Sequence, residues 1–200
     1  MKKIPVILIY SRLVLGLTLV VLSWFRADNY KVLAILILTT GLLTDIFDGI
    51  IARKLKVSTQ NLRRLDSSVD QVFFIAVAIA TYIQCPGFFR ENVLKLVILV
   101  GFEVLTYLVS VIKFRKEIAT HTIGAKIWTL ILFATFVQVI SECQSVILFN
   151  LCFWVGLLTR FEIILIILTL KKWTNDVPSF YHSIQLRKGI EIRRHKLFNG

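Results

Sequence analysis

The amino-acid sequence predicts an all-α, polytopic membrane protein with six transmembrane helices. Of its 200 residues, 56% are hydrophobic, whereas soluble domains contain about 45–50%. Only 18% are charged, and the mean hydropathy is +0.76. Long apolar runs also follow one another with short connections, and each has roughly the 20 residues that a membrane-spanning helix needs.

The predicted spans occupy residues 4–25, 31–53, 65–84, 93–113, 125–142 and 145–170. Each is rich in Leu, Ile, Val and Phe and poor in charge, as membrane helices are. The first is too long for a cleaved signal peptide, carries Arg12 and lacks a small-residue cleavage site after it. We therefore predict a six-helix membrane domain over residues 1–172 and a basic cytoplasmic tail over residues 173–200.

The positions of Lys and Arg predict the orientation. With the N-terminus inside, 18 of the 24 Lys and Arg residues fall on the inside and four on the outside, while Arg12 and Arg160 lie within spans. Cytoplasmic loops are enriched in these residues. We therefore expect both termini to face the cytoplasm, and the compact, basic chain favours a bacterial cell inner membrane.

The formal net charge of +12 would suggest a nucleic-acid partner in a soluble protein. In so apolar a chain, anionic lipids are the better explanation, and no nucleic acid is expected as a partner. The tail mixes aromatic and basic residues, which predicts a segment lying on the membrane surface.

The three cysteines have neither metal-ligand spacing nor the pattern of a disulfide framework. Cys85 and Cys143 both fall near the outer ends of predicted spans. The sequence nevertheless does not favour a bridge between them.

Four aspartates stand where apolar spans should exclude charge. Asp45 and Asp48 lie in "GLLTDIFDGIIAR" near the end of span two, and Asp66 and Asp70 begin span three. Each pair shares one helix face, because residues three or four apart are neighbours on a helix. If the two spans pack as an antiparallel hairpin, all four carboxylates converge at the cytoplasmic boundary.

Clustered carboxylates repel one another unless cations lie between them. Oxygen ligands favour hard divalent ions such as Mg²⁺, Mn²⁺ or Ca²⁺, and paired ions are a common device for displacement at phosphorus. The alternative is that the acids are solvated or pair with Arg53, Arg63 or Arg64. That alternative explains one pair as readily as a metal does, but it explains both pairs together poorly.

The stretch "DIFDGIIARKLKVSTQNLRRLDSSVD", residues 45–70, resembles the signature of the CDP-alcohol phosphatidyltransferases, D-x2-D-G-x2-A-R-x8-G-x3-D-x3-D. All four aspartates match in register, as do Gly49, Ala52 and Arg53. One position departs, since Leu62 replaces the second glycine. The opening "IPVILIYSR" also partly matches the "IPN-x2-T-x2-R" of the phosphatidylglycerophosphate-synthase branch, with Val6 and Ile9 at the polar positions.

The resemblance implies a metal-dependent transferase of phospholipid biosynthesis. It would move a phosphatidyl-type group from a CDP-linked lipid, CDP-diacylglycerol, to a small alcohol acceptor with release of CMP. It implies two Mg²⁺ or Mn²⁺ ions held by Asp45, Asp48, Asp66 and Asp70. Asp70 would also be the general base that deprotonates the acceptor hydroxyl, and a homodimer is expected on the same ground.

The resemblance also assigns the CDP moiety to Gly49, Ala52, Arg53 and Thr59. Gly49 and Ala52 would let the nucleotide approach the helix backbone, and the fork of Arg53 suits phosphate. The missing glycine is expected to lie against the nucleotide, so Leu62 is predicted to crowd this face.

The acceptor phosphate is assigned to Lys126 and Arg160. Lys126 and Thr129 partly match a branch pattern, "GK-x-KT", in which Trp128 replaces the second lysine. Arg160 is either a ligand for an anionic acceptor or the partner of an intramembrane acid such as Glu103. The acceptor remains open between glycerol 3-phosphate, an inositol phosphate and serine, and the opening motif favours glycerol 3-phosphate. A soluble CDP-alcohol also remains open as the donor.

Two alternatives compete with this interpretation. Clustered intramembrane acids also mark ion pathways, so a divalent-cation transporter is the alternative from another class. A family member with altered or lost activity is the other, and Leu62 is the motif position that suggests it.

Overall fold

The computed structural model describes residues 4–55, 57, 59–116, 122–174, 177–190 and 192. Within them the chain forms eight α-helices: α1 (Ile4–Trp24), α2 (Tyr30–Lys54), α3 (Gln60–Gln84), α4 (Pro86–Glu91), α5 (Val93–Phe114), α6 (Ile123–Glu142), α7 (Ile147–Thr169) and α8 (Phe180–Arg187). In this described part, six helices are long and apolar enough to cross a membrane. The all-α, six-span prediction is confirmed.

The chain divides into two compact units. The first comprises Met1–Glu91 and Phe133–Ser145, and the second comprises Asn92–Leu132 and Val146–Gly200. Helix α6 supplies its first half to the second unit and its second half to the first unit.

In the first unit, α1 packs along both α2 and α3, whereas α2 and α3 make few contacts with each other. Spans two and three therefore touch each other directly only in part, and each packs mainly against α1. The core combines Leu19 of α1, Leu38 of α2 and Phe73 of α3 with Ile140 of α6. Its apolar side chains are almost completely buried.

Small residues allow this close packing, as is common between membrane helices. A methyl group added at Gly16 would lie 3.1 Å from Cβ of Ala76. One added at Gly41 would overlap the ring of Phe73, which is itself buried. The backbone of α2 therefore rests directly against this ring.

Cys85, at the C-terminal end of α3, forms a disulfide with Cys143, which follows α6. This differs from the expectation that the cysteines form no bridge. The reason is tertiary: the second half of α6 packs in the first unit and ends beside α3. At the same end, Ser23 donates to the carbonyl of Ala80 at 2.7 Å, and Lys31 donates to the carbonyl of Ser141 at 2.7 Å.

In the second unit, α5 packs against α7. At one end Lys95 of α5 donates to the Asn150 side chain of α7 at 2.6 Å. At the other end Lys113 donates to the carbonyls of Ile167 and Leu168 at 3.0 and 2.7 Å. These contacts fix the two helices at both ends.

Part of the predicted tail packs against the end of α7. Val177 joins Ile166 and Leu170 in a small core, and the carboxylate of Glu162 accepts a hydrogen bond from the Phe180 backbone at 3.1 Å. That bond satisfies an N–H at the start of α8 that has no partner within the helix. Arg187, the last residue of α8, and Lys188, which follows it, are exposed.

We expect Gly41→Ala to lower the free energy of unfolding by about 1–3 kcal/mol, the usual cost of overpacking a core, because the new methyl group meets the Phe73 ring. Gly101→Ala is the matched control, since nothing lies within 4 Å of its added methyl group. Thermal unfolding in detergent measures both. Equal melting temperatures for the two variants would contradict the close contact at Gly41.

We expect thiol counting to reveal the bridge. Protein denatured in SDS without reductant should take up one polyethylene-glycol maleimide, on Cys152, and should take up three after reduction. Gel mobility measures the number of adducts. Three adducts without reductant would show that Cys85 and Cys143 are not joined.

Candidate functional site

The four aspartates meet at one end of the first unit. Asp45 and Asp48 lie on one face of the last turns of α2, and Asp66 and Asp70 lie on one face of the first turns of α3. The connection between the two helices is short, so both pairs occur at the same end of their spans. The side chain of Thr59 begins α3 by accepting a hydrogen bond from the Leu62 backbone at 3.2 Å.

Arg12 of α1 lies among the four carboxylates. Its Nη1 contacts Asp45 at 3.0 Å and also Asp70, and its Nη2 contacts Asp48 at 2.6 Å and also Asp66. Each terminal nitrogen therefore bridges one aspartate of α2 and one of α3. The side chain of Arg12 is only 1% exposed.

Sequence reasoning noted Arg12 as a charge within span one and, with Pro5, as a match to the opening motif of the branch, but gave it no role. The signal was present: an arginine in a membrane span needs a partner, and no acid occurs in span one. The partners lie 33 residues or more away in the chain, so the helix period of span one did not reveal them.

The cluster is closed on one side and open on the other. Asp48 is buried, with 3% of its side chain exposed, whereas Asp45 retains 34%. Asp66 and Asp70 lie between these values. A ligand would therefore approach from the side of Asp45 and Asp70 and meet Asp48 last.

The residues present fit a divalent metal. One carboxylate oxygen from each of Asp45, Asp48 and Asp66 lies within 4.8 Å of the others, and Asp70 reaches the same group through Arg12. The donors are all oxygens, as Mg²⁺ and Mn²⁺ prefer. Four carboxylates against one guanidinium leave an excess of negative charge that cations would neutralise.

The predicted nucleotide face is only partly open. Gly49 is half-buried, and the Arg53 side chain folds back so that Nη1 would lie 3.4 Å from a methyl group added at Gly49. Ala52 is buried, with 5% exposed, so its methyl group contacts protein. Thr59 is exposed.

Leu62 lies in the first turn of α3. The helix therefore includes this position, and Leu62, Asp66 and Asp70 are stacked at four-residue steps on one face. The leucine side chain is half-buried. It occupies the position on this face where a glycine would leave space.

The predicted acceptor residues lie in the second unit. Arg160 donates from Nε to Glu103 at 2.7 Å and from Nη1 to Thr159 at 3.1 Å. Its guanidinium also lies 3.6 Å from the centre of the Trp128 ring. Of the two interpretations of Arg160, the structure contains the pairing with Glu103. Lys126 is exposed in the first turns of α6.

Comparison with known proteins gives one match. The family model described as CDP-alcohol phosphatidyltransferase covers residues 2–170, a range that includes Arg12 and all four aspartates. No curated protein and no solved structure matches the chain. The protein therefore belongs to the CDP-alcohol phosphatidyltransferase family, metal-dependent membrane transferases that move a phosphatidyl group from a CDP-alcohol in phospholipid synthesis.

Proposed function

We propose that the protein transfers a phosphatidyl-type group from CDP-diacylglycerol to a small alcohol and releases CMP. The observation that carries the proposal is the meeting of four carboxylates, from two membrane helices, at one partly open end of the first unit. A lipid donor suits this position because its acyl chains can remain in the bilayer while its diphosphate reaches the acids.

In this proposal the aspartates have two roles, metal binding and proton transfer. Asp45, Asp48, Asp66 and Asp70 would hold two Mg²⁺ or Mn²⁺ ions, which when bound neutralise charge on the diphosphate. Asp70, with 29% of its side chain exposed, would accept the proton of the acceptor hydroxyl. General-base catalysis contributes about 10²–10⁴-fold to rate.

The nucleotide would lie along α2. Gly49 would allow the close approach, and Arg53, whose guanidinium already lies over Gly49, would turn to bind phosphate. Ala52, whose small side chain is now covered by protein, would leave room for the nucleotide beside Gly49. Thr59, exposed at the start of α3, would contact the CDP moiety. Lys126 and Arg160 would serve an acceptor phosphate, with glycerol 3-phosphate as the first acceptor to try.

The proposed orientation places the aspartates and both termini in the cytoplasm. Two independent observations support it: the bias of Lys and Arg towards that side and the disulfide at the opposite end of α3. Disulfides persist in oxidising compartments outside the cytosol. We further propose a cell inner membrane location, a homodimer, and a division into a membrane domain of residues 1–172 and a tail of residues 173–200.

The test is CMP release by the purified protein in detergent with Mg²⁺ or Mn²⁺. CDP-diacylglycerol is offered with glycerol 3-phosphate, an inositol phosphate or serine, and a parallel reaction contains a soluble CDP-alcohol with diacylglycerol. We expect CMP with one acceptor, and we expect Asp70→Asn to reduce its rate at least about 100-fold because it removes a base. Asp28→Asn is the matched control, since Asp28 is exposed near the other end of α2.

Two results would replace the proposal. Without CMP from any pair, a flux of Mn²⁺ into proteoliposomes that Asp70→Asn abolishes would identify a divalent-cation transporter. Without CMP and without flux, the protein would be a family member with altered or lost activity.

We expect Leu62→Gly to raise the affinity for CMP, because it removes a side chain from the helix face that carries Asp66 and Asp70. Leu62→Ala also removes most of the side chain but keeps a good helix former, whereas glycine weakens a helix by about 1 kcal/mol relative to alanine. Comparison of the two variants therefore separates the loss of side-chain volume from the weakening of the helix. Calorimetric titration with CMP in the presence of Mn²⁺ measures both variants. Unchanged affinity in both would show that Leu62 does not crowd the nucleotide.

A further inference from the structure

We propose that Arg12 is an internal cation of the site formed by Asp45, Asp48, Asp66 and Asp70: it links the four carboxylates and competes with metal ions that bind them. This inference rests on the proposed metal site. It assigns to a residue of α1, outside the aspartate signature, the control of metal affinity.

The first argument is the pattern of contacts. The two terminal nitrogens of Arg12 take up four carboxylate oxygens, two each, and each nitrogen links α2 to α3. Bridging one acid of each helix is what an ion between the helices would do. The guanidinium thus presents two donor nitrogens, which share one positive charge, to the same acids that would hold two ions.

The second argument is space. Oxygen ligands lie about 2.0–2.6 Å from Mg²⁺ or Ca²⁺, whereas Arg12 contacts Asp45 at 3.0 Å and Asp48 at 2.6 Å. An ion on the oxygens that face Arg12 would overlap the guanidinium. Like charges at such a distance also repel. Binding at these oxygens therefore requires Arg12 to withdraw.

The third argument is the state of Arg12 itself. Its Nε is buried and has no hydrogen-bond partner within the described part of the chain. A buried N–H without a partner is unfavourable. Both terminal nitrogens are used and Nε is not, so within the described residues the acids are the hydrogen-bond partners of this buried side chain.

The exposure of the aspartate side chains predicts which pair of carboxylates exchanges Arg12 for a metal ion first. Nη1 contacts Asp45 and Asp70, which keep 34% and 29% of their side chains exposed, while Nη2 contacts Asp48 and Asp66, which keep 3% and 23%. The first ion would take the open pair while Nη2 retains the buried acid. Binding of a second metal ion would then require Nη2 of Arg12 to leave its carboxylates as well.

The test measures Mn²⁺ binding and thermal unfolding of the detergent-solubilised full chain, without substrate. We expect Arg12→Gln to melt at a lower temperature than wild type in EDTA and to gain more from Mn²⁺. Its Mn²⁺ affinity, measured by electron paramagnetic resonance, should rise by about 5–150-fold, the usual range of coupling between two bound groups. Arg12→Lys, with one nitrogen, should fall between wild type and Arg12→Gln.

Lys95→Gln is the matched control, because Lys95 is also a cationic residue of a membrane helix but donates to the Asn150 side chain and has no role in the proposed site. It should melt at a lower temperature in EDTA without any change in Mn²⁺ affinity. If Arg12→Gln folds only when Mn²⁺ is present, the metal replaces the guanidinium and the proposal is supported. If it does not fold under either condition, the affinity of Arg12→Lys decides.

Weaker or unchanged Mn²⁺ binding by the folded Arg12 variants would overturn the competition, because Arg12 would then support the metal ligands or be indifferent to them. Wild-type protein that binds no Mn²⁺ would overturn the metal site itself. A failure of CMP release with this Mn²⁺ competition intact would overturn only the proposed reaction.

Discussion

A charged arginine side chain is stable inside an apolar helix bundle only when acids surround it, and the arrangement of the first unit follows from this constraint. Arg12 is buried among four carboxylates that come from two other helices, so α1 must pack against both α2 and α3. Small residues make that position accessible: Gly16 of α1 meets Ala76 of α3, one helical turn beyond Arg12. Electrostatic pairing and close backbone packing thus require the same arrangement of helices.

Each unit contains a buried arginine, but the balance of charge around them differs. In the second unit, Arg160 pairs with Glu103 and is covered by the Trp128 ring, so one positive charge meets one negative charge. In the first unit, Arg12 contacts four carboxylates, and Arg53 is a further cation close to one of them, Asp48. The pairing in the second unit is complete without an external ion. The cluster in the first unit retains an excess of negative charge at a partly open surface. That excess is the physical basis for assigning metal chemistry to the first unit.

The spans and the four aspartates were readable from the sequence because both depend on local patterns. A run of about 20 apolar residues forms a membrane-spanning helix. A spacing of three or four residues places two side chains on the same face of that helix. The ion pairs of Arg12, the packing of α1 on both α2 and α3, and the Cys85–Cys143 bridge depend on contacts between distant segments, which no helix period encodes. The start of α3 at Gln60 rather than near residue 65 reflects the Thr59 cap, a polar signal that a hydropathy window overlooks. The pairing of Arg160 with Glu103 was one of two stated alternatives, and only contact between α5 and α7 could select it.

The bridge between Cys85 and Cys143 also orders the events of biosynthesis. The two cysteines are 58 residues apart, and α5 and all of α6 lie between them. The covalent bond therefore closes only after α6 has been synthesised and inserted. By then α1, α2 and α3 have emerged, and Arg12 can already neutralise acids that would otherwise resist insertion. Ionic pairing comes first, and the covalent link afterwards makes the assembled helices difficult to separate.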